Sequence, residues 1–257
     1  MGPGSAPGER EGPGSAPEEY VRPTRVTRSQ IKIVAKYLVL AFVSFSIAFV
    51  ICFALIPPPT TAFMVQRFIG RALDSNKEAS IRYQWTALES ISPNLALAVI
   101  ASEDQKFPYH FGFDLESISD ALEARKKGKR LRGASTITQQ TAKNLFLTAD
   151  RSFLRKGLEA YFTVLLELFW SKQRILEVYL NIAEFGDGVF GAHAAAKELL
   201  GKKPSQLTRK DAALMAAVLP NPERFKVTRP SGYVHRRCSQ ILKQMRLLGG
   251  TAYLDDL

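Results

Sequence analysis

The sequence predicts a mainly α protein, a set of packed helices behind one apolar helix long enough to cross a membrane. Three observations carry this. Tyr37 to Ile56 is a 20-residue run without a charged side chain. After it, apolar side chains recur at three- and four-residue spacing in stretch after stretch. No stretch alternates apolar and polar residues for long enough to predict a strand.

Residues 1–36 are expected to form a disordered tail. Gly2-Pro3-Gly4-Ser5-Ala6-Pro7 recurs as Gly12-Pro13-Gly14-Ser15-Ala16-Pro17. Such composition cannot bury enough apolar surface to offset the entropy of ordering. At about 1.5 Å per helical residue, the 37–56 run spans roughly 30 Å, the thickness of a bilayer's hydrocarbon core. A cleaved signal peptide would be shorter and followed by a small-x-small site, and Ala54-Leu55-Ile56-Pro57-Pro58-Pro59 offers none. Arg22, Arg25, Arg28, Lys32 and Lys36 precede the span, which places the N-terminus in the cytoplasm and residues 57–257 outside it.

The formal net charge is +11, and residues 1–36 hold six basic and four acidic side chains, leaving +9 beyond them. A basic domain beside a membrane suits anionic headgroups or a phosphorylated lipid; a solubilising surface is the other reading, and charge alone leaves both open. Outside the cytoplasm such a domain does not meet nucleic acid. Cys52 lies in the span and Cys238 stands by itself, so no disulfide is expected within the outer domain. The scattered His110, His193 and His235 predict no zinc site, and His110 reads as a structural turn residue.

Helices follow in order. Phe63, Met64, Val65, Phe68 and Ile69 form either an amphipathic linker or a lipid-facing entry beside Arg67 and Arg71. Asn94 is expected to cap a helix running through Leu95, Val99 and Ile100 into Glu103. Leu115, Ile118 and Leu122 mark the next, with a basic exit from Lys126 to Arg132. Leu154, Leu158, Phe162, Leu165 and Phe169 make the strongest amphipathic pattern. Ser171 caps a helix carrying Ile175, Leu176, Tyr179 and Leu180. Gly186 and Gly188 break the chain before an Ala-rich helix that closes at Gly201. Thr208 and Asp211 resemble a capping box, and Ile241, Leu242, Met245 and Leu248 mark a last helix ending at Gly249-Gly250.

Polar residues with chemical potential concentrate in three places. Glu103-Asp104 leave a helix just before a Gly-aromatic turn, which can set a carboxylate in a cleft; acidic pairs at helix ends are also commonly just solvated. Gly133-Ala134-Ser135-Thr136 open a helix, an arrangement that can bind an anion. Gln139, Gln140, Lys143 and Asn144 follow within two turns. Arg151, Arg155 and Glu159 are spaced i, i+4, i+8, giving either a polar strip or an ordinary surface pair worth a few tenths of a kcal/mol.

Taken in order, the motifs Glu103-Asp104-x-x-Phe107, His110-x-Gly112-x-Asp114, Gly133-x-Ser135-Thr136-Ile137-Thr138-Gln139-Gln140, Lys143-Asn144-Leu145, Arg155-Lys156-x-x-Glu159, Lys172-x-x-Ile175-Leu176-Glu177-x-Tyr179-Leu180-Asn181 and Gly186-x-Gly188-x-x-Gly191 closely resemble the peptidoglycan glycosyltransferase family. The likeness covers roughly residues 60–230. It implies a lysozyme-like helical fold for the outer domain, residues 57–257. With the chain ending at residue 257, it resembles the monofunctional, membrane-anchored form, without transpeptidase activity. By position, Glu103 resembles the catalytic base and Glu159 the second essential carboxylate. Ser135, Gln139, Gln140, Lys143, Arg151 and Arg155 match positions lining the donor and pyrophosphate site; Arg151 lies between motifs. The implied substrates are lipid II and the nascent lipid-linked glycan, joined by β-1,4 linkage with inversion and release of undecaprenyl pyrophosphate. The implied setting is the bacterial inner membrane, beside other cell-wall synthesis or division proteins. No obligate cofactor is implied; a divalent metal such as Mg2+ held by Glu159 is one option, orientation of neighbouring cations the other.

The chemistry suits these residue types. An inverting transfer needs a base for the attacking hydroxyl, and pyrophosphate is a good leaving group that wants cations more than an acid. A hydrolase cutting the same glycan and a non-catalytic membrane scaffold are the rival readings. Several cations near the carboxylates argue against the first, and intact acids beside a polar helix against the second.

Overall fold

The computed structural model describes residues 1–2, 4, 27–75, 78–127, 135–148 and 152–257. Most of the expected tail, the Lys126–Arg132 exit beyond residue 127, Gly133, Ala134 and Arg151 therefore lie outside the described residues. The chain is mainly helical, and its compact units are residues 1–44 and 45–257.

Helix α1, Arg28–Leu55, contains the apolar run except its last residue, Ile56, and starts well before it, so the last part of the expected tail is helical. It is long and apolar enough to cross a membrane. Helix α2, Ala62–Ala72, is capped by Thr61, whose side chain accepts from the Met64 amide. Its Met64 is buried, whereas Val65, Phe68 and Ile69 are exposed. Arg67 and Arg71 do not join that apolar face. Arg67 pairs with Glu184, Asp187 and Glu223, and Arg71 with Asp187, pinning α2 to a hairpin.

The core forms around α3, Pro93–Glu103, in which Leu95 through Ala101 are all buried. A helix apolar on every side belongs in a protein interior. Its N-cap position is Ser92 rather than Asn94, because Pro93 takes the first helical position, where its fixed φ fits and its missing N–H costs nothing. The Asn94 side chain instead donates to Ser92 Oγ and to the Leu207 carbonyl. Helix α9, Arg209–Val218, packs on α3, and α10, Gly232–Leu247, packs on both. The Thr208–Asp211 capping box forms as expected, with the helix beginning directly after Thr208.

The second layer is α5, Ile137–Phe146, lying between α6, Phe153–Phe169, and α7, Lys172–Ile182. Helix α4, Leu115–Lys126, precedes it. Ser152 and Ser171 cap α6 and α7 by accepting from the Arg155 and Arg174 amides. Short strands β1 (Arg82–Tyr83), β2 (Glu184–Gly186) and β3 (Val189–Phe190) form a small sheet in the order β1-β3-β2. β1 runs parallel and β2 antiparallel to β3. Segments this short come from pairing, not periodicity, so alternation did not reveal them. Helix α8, Gly191–Leu200, follows and ends at Gly201 in the left-handed conformation.

Gly191 is a point where only glycine fits. Its φ is +80°, and an added Cβ would overlap the Asn181 carbonyl oxygen and lie 3.1 Å from its carbon. Gly191→Ala is expected to destabilise the domain by about 3 kcal/mol, combining backbone strain with overpacking. An unfolding midpoint in detergent equal to that of the intact protein would refute this.

Candidate active site

Glu103 is the last residue of α3, and its carboxylate is gripped from three sides. Ser102 Oγ and Arg237 Nη2 donate to Oε1 at 3.2 and 3.1 Å, and Gln140 Nε2 donates to Oε2 at 3.1 Å. Gln140 is itself oriented by the Tyr179 hydroxyl, 3.1 Å from its Oε1. Burial, reinforced by the negative charges of Glu103 and Asp104, pushes the Tyr179 phenol well above its ordinary value, so it stays a proton donor. Glu103, Ser135, Gln140 and Arg237 line an open cleft of about 940 Å3, with Lys243 also on its wall.

The neighbouring acid has a different job. Asp104 Oδ1 lies 2.9 Å from His110 Nε2, and Oδ2 accepts from the Ile137 amide at 2.9 Å. It thus ties the end of α3 to the start of α5 and to His110. Thr136 Oγ1 also donates to the Gly112 carbonyl at 2.7 Å. Gly112 has φ +73°, and a Cβ there would meet Thr163 Cγ2 at 2.6 Å, so this turn sits tightly against α6.

Half of the expected anion-binding start, Gly133 and Ala134, lies outside the described residues; in the rest, Asp104 takes the Ile137 amide, and Thr136 and Gln139 cap each other's amides. Gln139 is buried, with its Oε1 accepting from Thr136, so it shapes the helix start while Gln140 faces the cleft.

The second carboxylate is no surface residue. Glu159 is 3% exposed, with Arg155 Nη1 donating to Oε2 at 2.8 Å and Lys156 Nζ to Oε1. The surface-pair reading of Arg155–Glu159 therefore falls. Lys143, on α5, feels Glu159 and, more weakly, Glu103. Burial pulls its ammonium below the ordinary lysine value; Arg155 and Lys156 push the same way, and the two carboxylates oppose them. Lys143, Arg155 and Glu159 do not line the open cleft, so base and cations form adjoining groups. Because α6 starts at Phe153, Arg151 precedes the helix and lies outside the described residues. Glu159 thus has a cation on each oxygen, Arg155 on Oε2 and Lys156 on Oε1. Among the described residues, no three His, Cys, Asp or Glu side chains come together.

Arg237 is the site residue that sequence reasoning missed. It lies 134 positions from Glu103 on a helix rich in basic residues. Its signal was its flank position: Val234, Cys238, Ile241 and Met245 form the buried stripe of α10, and Arg237 sits beside it.

A family model described as Transglycosylase matches residues 70–246. A biosynthetic peptidoglycan transglycosylase of Shewanella oneidensis is 54% identical over 212 residues, covering 82% of this chain and 90% of that protein. Another, from Xanthomonas campestris, is 46% identical over 243 residues, covering 95% of this chain and 98% of its own length. A third, from Escherichia coli, is 56% identical over 205 residues, 79% of this chain and 85% of that protein. A match running from α2 through nearly all of α10, across both the Glu103 and Glu159 groups, shows that the chain belongs to the transglycosylase family of glycosyltransferases.

Proposed function

We propose that this chain polymerises lipid II into β-1,4 glycan at the outer face of the bacterial inner membrane, with inversion and release of undecaprenyl pyrophosphate. The observation that carries the reading is one arrangement. A carboxylate immobilised at the edge of an open cleft, Glu103, adjoins a group of cations organised by a buried carboxylate, Glu159.

The acceptor 4-hydroxyl gives its proton to Glu103 as its oxygen forms a bond to the anomeric carbon. The bond from that carbon to the pyrophosphate oxygen breaks, and Lys143, Arg155 and Arg151 stabilise the charge that departs. Arg155 Nε and Arg237 Nε are buried donors without a partner among the described residues, unspent capacity that an anionic substrate would use. Ser135 and Gln140 hold sugar or phosphate oxygens along the cleft. Glu159 keeps the cations in place, and Gln139 acts through the helix it caps.

The apolar helix tethers the enzyme where its lipid substrate lies, raising effective concentration. The exposed Val65, Phe68 and Ile69 face of α2 supports a lipid-facing approach. The cytoplasmic N-terminus follows from the basic residues before the span. Purified intact protein supplied with lipid II in detergent is expected to yield glycan ladders. Absence of polymer under conditions where a control enzyme works would refute the reading, and shortening of preformed glycan would point to a hydrolase.

A further inference from the structure

The boundary between the two compact units falls inside α1, between Ser44 and Phe45, not at the helix end. The stretch from Phe45 onward is therefore folded with the catalytic residues, and hydrogen bonds of three side chains help to attach it. Ser46 Oγ lies 2.7 Å from the Tyr161 hydroxyl on α6. Trp170 Nε1 donates to the Val50 carbonyl at 2.8 Å. Arg174, on α7, donates to the Phe53 carbonyl through Nε and Nη2 at 3.2 and 2.8 Å, and to the Ile56 carbonyl through Nη2 at 3.0 Å.

The sequence explains why such a donor is needed. A helix leaves its last carbonyls without partners. The Phe53 carbonyl would ordinarily accept from the residue four positions on, but that residue is Pro57, and Pro58 and Pro59 follow; none carries an amide hydrogen. At the edge of a lipid layer, carbonyls that water does not reach are costly. Arg174 supplies the missing donors, and a cation at a helix C-terminus is also favoured by the helix dipole. Its guanidinium is held between the Trp85 and Trp170 rings, 5.1 and 5.9 Å from their centroids, and is paired with Glu177 at 2.5 Å. The planar guanidinium serves both carbonyls while stacking on aromatic faces, which a lysine ammonium does less well. The same helix, α7, carries Tyr179, which orients Gln140 against Glu103.

We propose that Arg174 is a positioning residue that locks the outer end of the membrane helix onto the catalytic domain. The segment from Phe45 to Ile56 is then held against the catalytic residues and sets the height of the cleft over the lipid layer, instead of serving as a loose tether. This rests on the membrane-bound glycosyltransferase reading above. A loose tether would still concentrate the enzyme at the surface. It would not hold the cleft against a substrate whose pyrophosphate lies at a fixed depth, and small misplacements of reacting groups are expensive.

The test uses the full chain in vesicles of phosphatidylethanolamine and phosphatidylglycerol. Arg174→Met is expected to lower kcat on lipid II embedded in the bilayer by about tenfold, with KM changed less than about twofold. Turnover of a short-chain, detergent-soluble analogue should stay within about twofold of the intact protein. Trp170→Phe, which loses the bond to Val50 and part of the ring face beside Arg174, should show the same split at smaller size. Equal losses on both substrates, or none on either, would overturn the proposal. A second readout is independent of activity: nitroxide labels at Ile51→Cys and Lys210→Cys, with Cys52 and Cys238 replaced by Ser and Ala. One narrow distance that broadens in Arg174→Met is expected, and an unchanged distribution refutes the clamp even if the intact protein polymerises nothing.

Discussion

Glu103→Gln is expected to reduce glycan polymerisation about a thousandfold, within the range that a positioned general base contributes. The amide is close to isosteric, and its oxygen can still accept from Ser102 and Arg237, although the NH2 that replaces Oε2 no longer accepts from Gln140. What it loses is the ability to accept the acceptor hydroxyl's proton. Affinity for a non-reacting donor analogue is therefore expected to stay within about threefold, a pattern that removal of a transition-state role produces. Measuring kcat by ladder formation and affinity by analogue binding separates the two. Undiminished turnover would remove Glu103 from the mechanism, and a matching loss of affinity would make it a binding residue instead.

Lys143→Ala is expected to weaken donor-analogue binding by about 10- to 100-fold, the loss of a charge-assisted contact to pyrophosphate. A pH series gives a sharper test. Burial holds the free Lys143 ammonium below 10.5. As pH rises through that lowered value, the intact protein loses the cation, and analogue affinity should fall earlier than for a solvent-exposed lysine. In Lys143→Ala this component of the pH dependence should vanish. Stability runs the other way. Between the lowered folded value and the unfolded one, the unfolded chain binds more protons, so Lys143 makes the fold more stable as pH rises there. Opposite slopes for affinity and stability in one pH window are the signature; parallel slopes would rule Lys143 out as the donor-binding cation.

Local signals were the legible ones. Ser171, Thr208 with Asp211, and Gly201 act within one helical turn of themselves, and each appears where its chemistry predicts. Asn94 misled because Pro93 takes the first helical position and so leaves the N-cap position to Ser92, which makes no side-chain cap bond. The polar run from Ser135 to Lys143 looked like one groove lining. Folding divides it: Thr138, Gln139 and Thr141 turn inward, while Ser135 and Gln140 face the cleft. A helix presents opposite faces every two residues or so, and which face meets the core is settled by neighbours far away in sequence.

The sequence by itself determined the apolar helix, the mainly helical domain, and most of the caps and breaks. All of these are short-range: periodicity, capping and motif spacing are properties of neighbouring residues. Only the tertiary structure decided which polar groups meet. Arg237 reaches Glu103 across 134 positions, and Arg174 reaches the Phe53 carbonyl across 121. Asp104 takes the Ile137 amide at the start of α5, across 33 positions. Glu159 became a buried centre for cations because α6 turns that face into the protein. Contacts of this kind depend on how whole helices pack, and packing is decided by the sum of many buried surfaces, not by any motif that makes the contact.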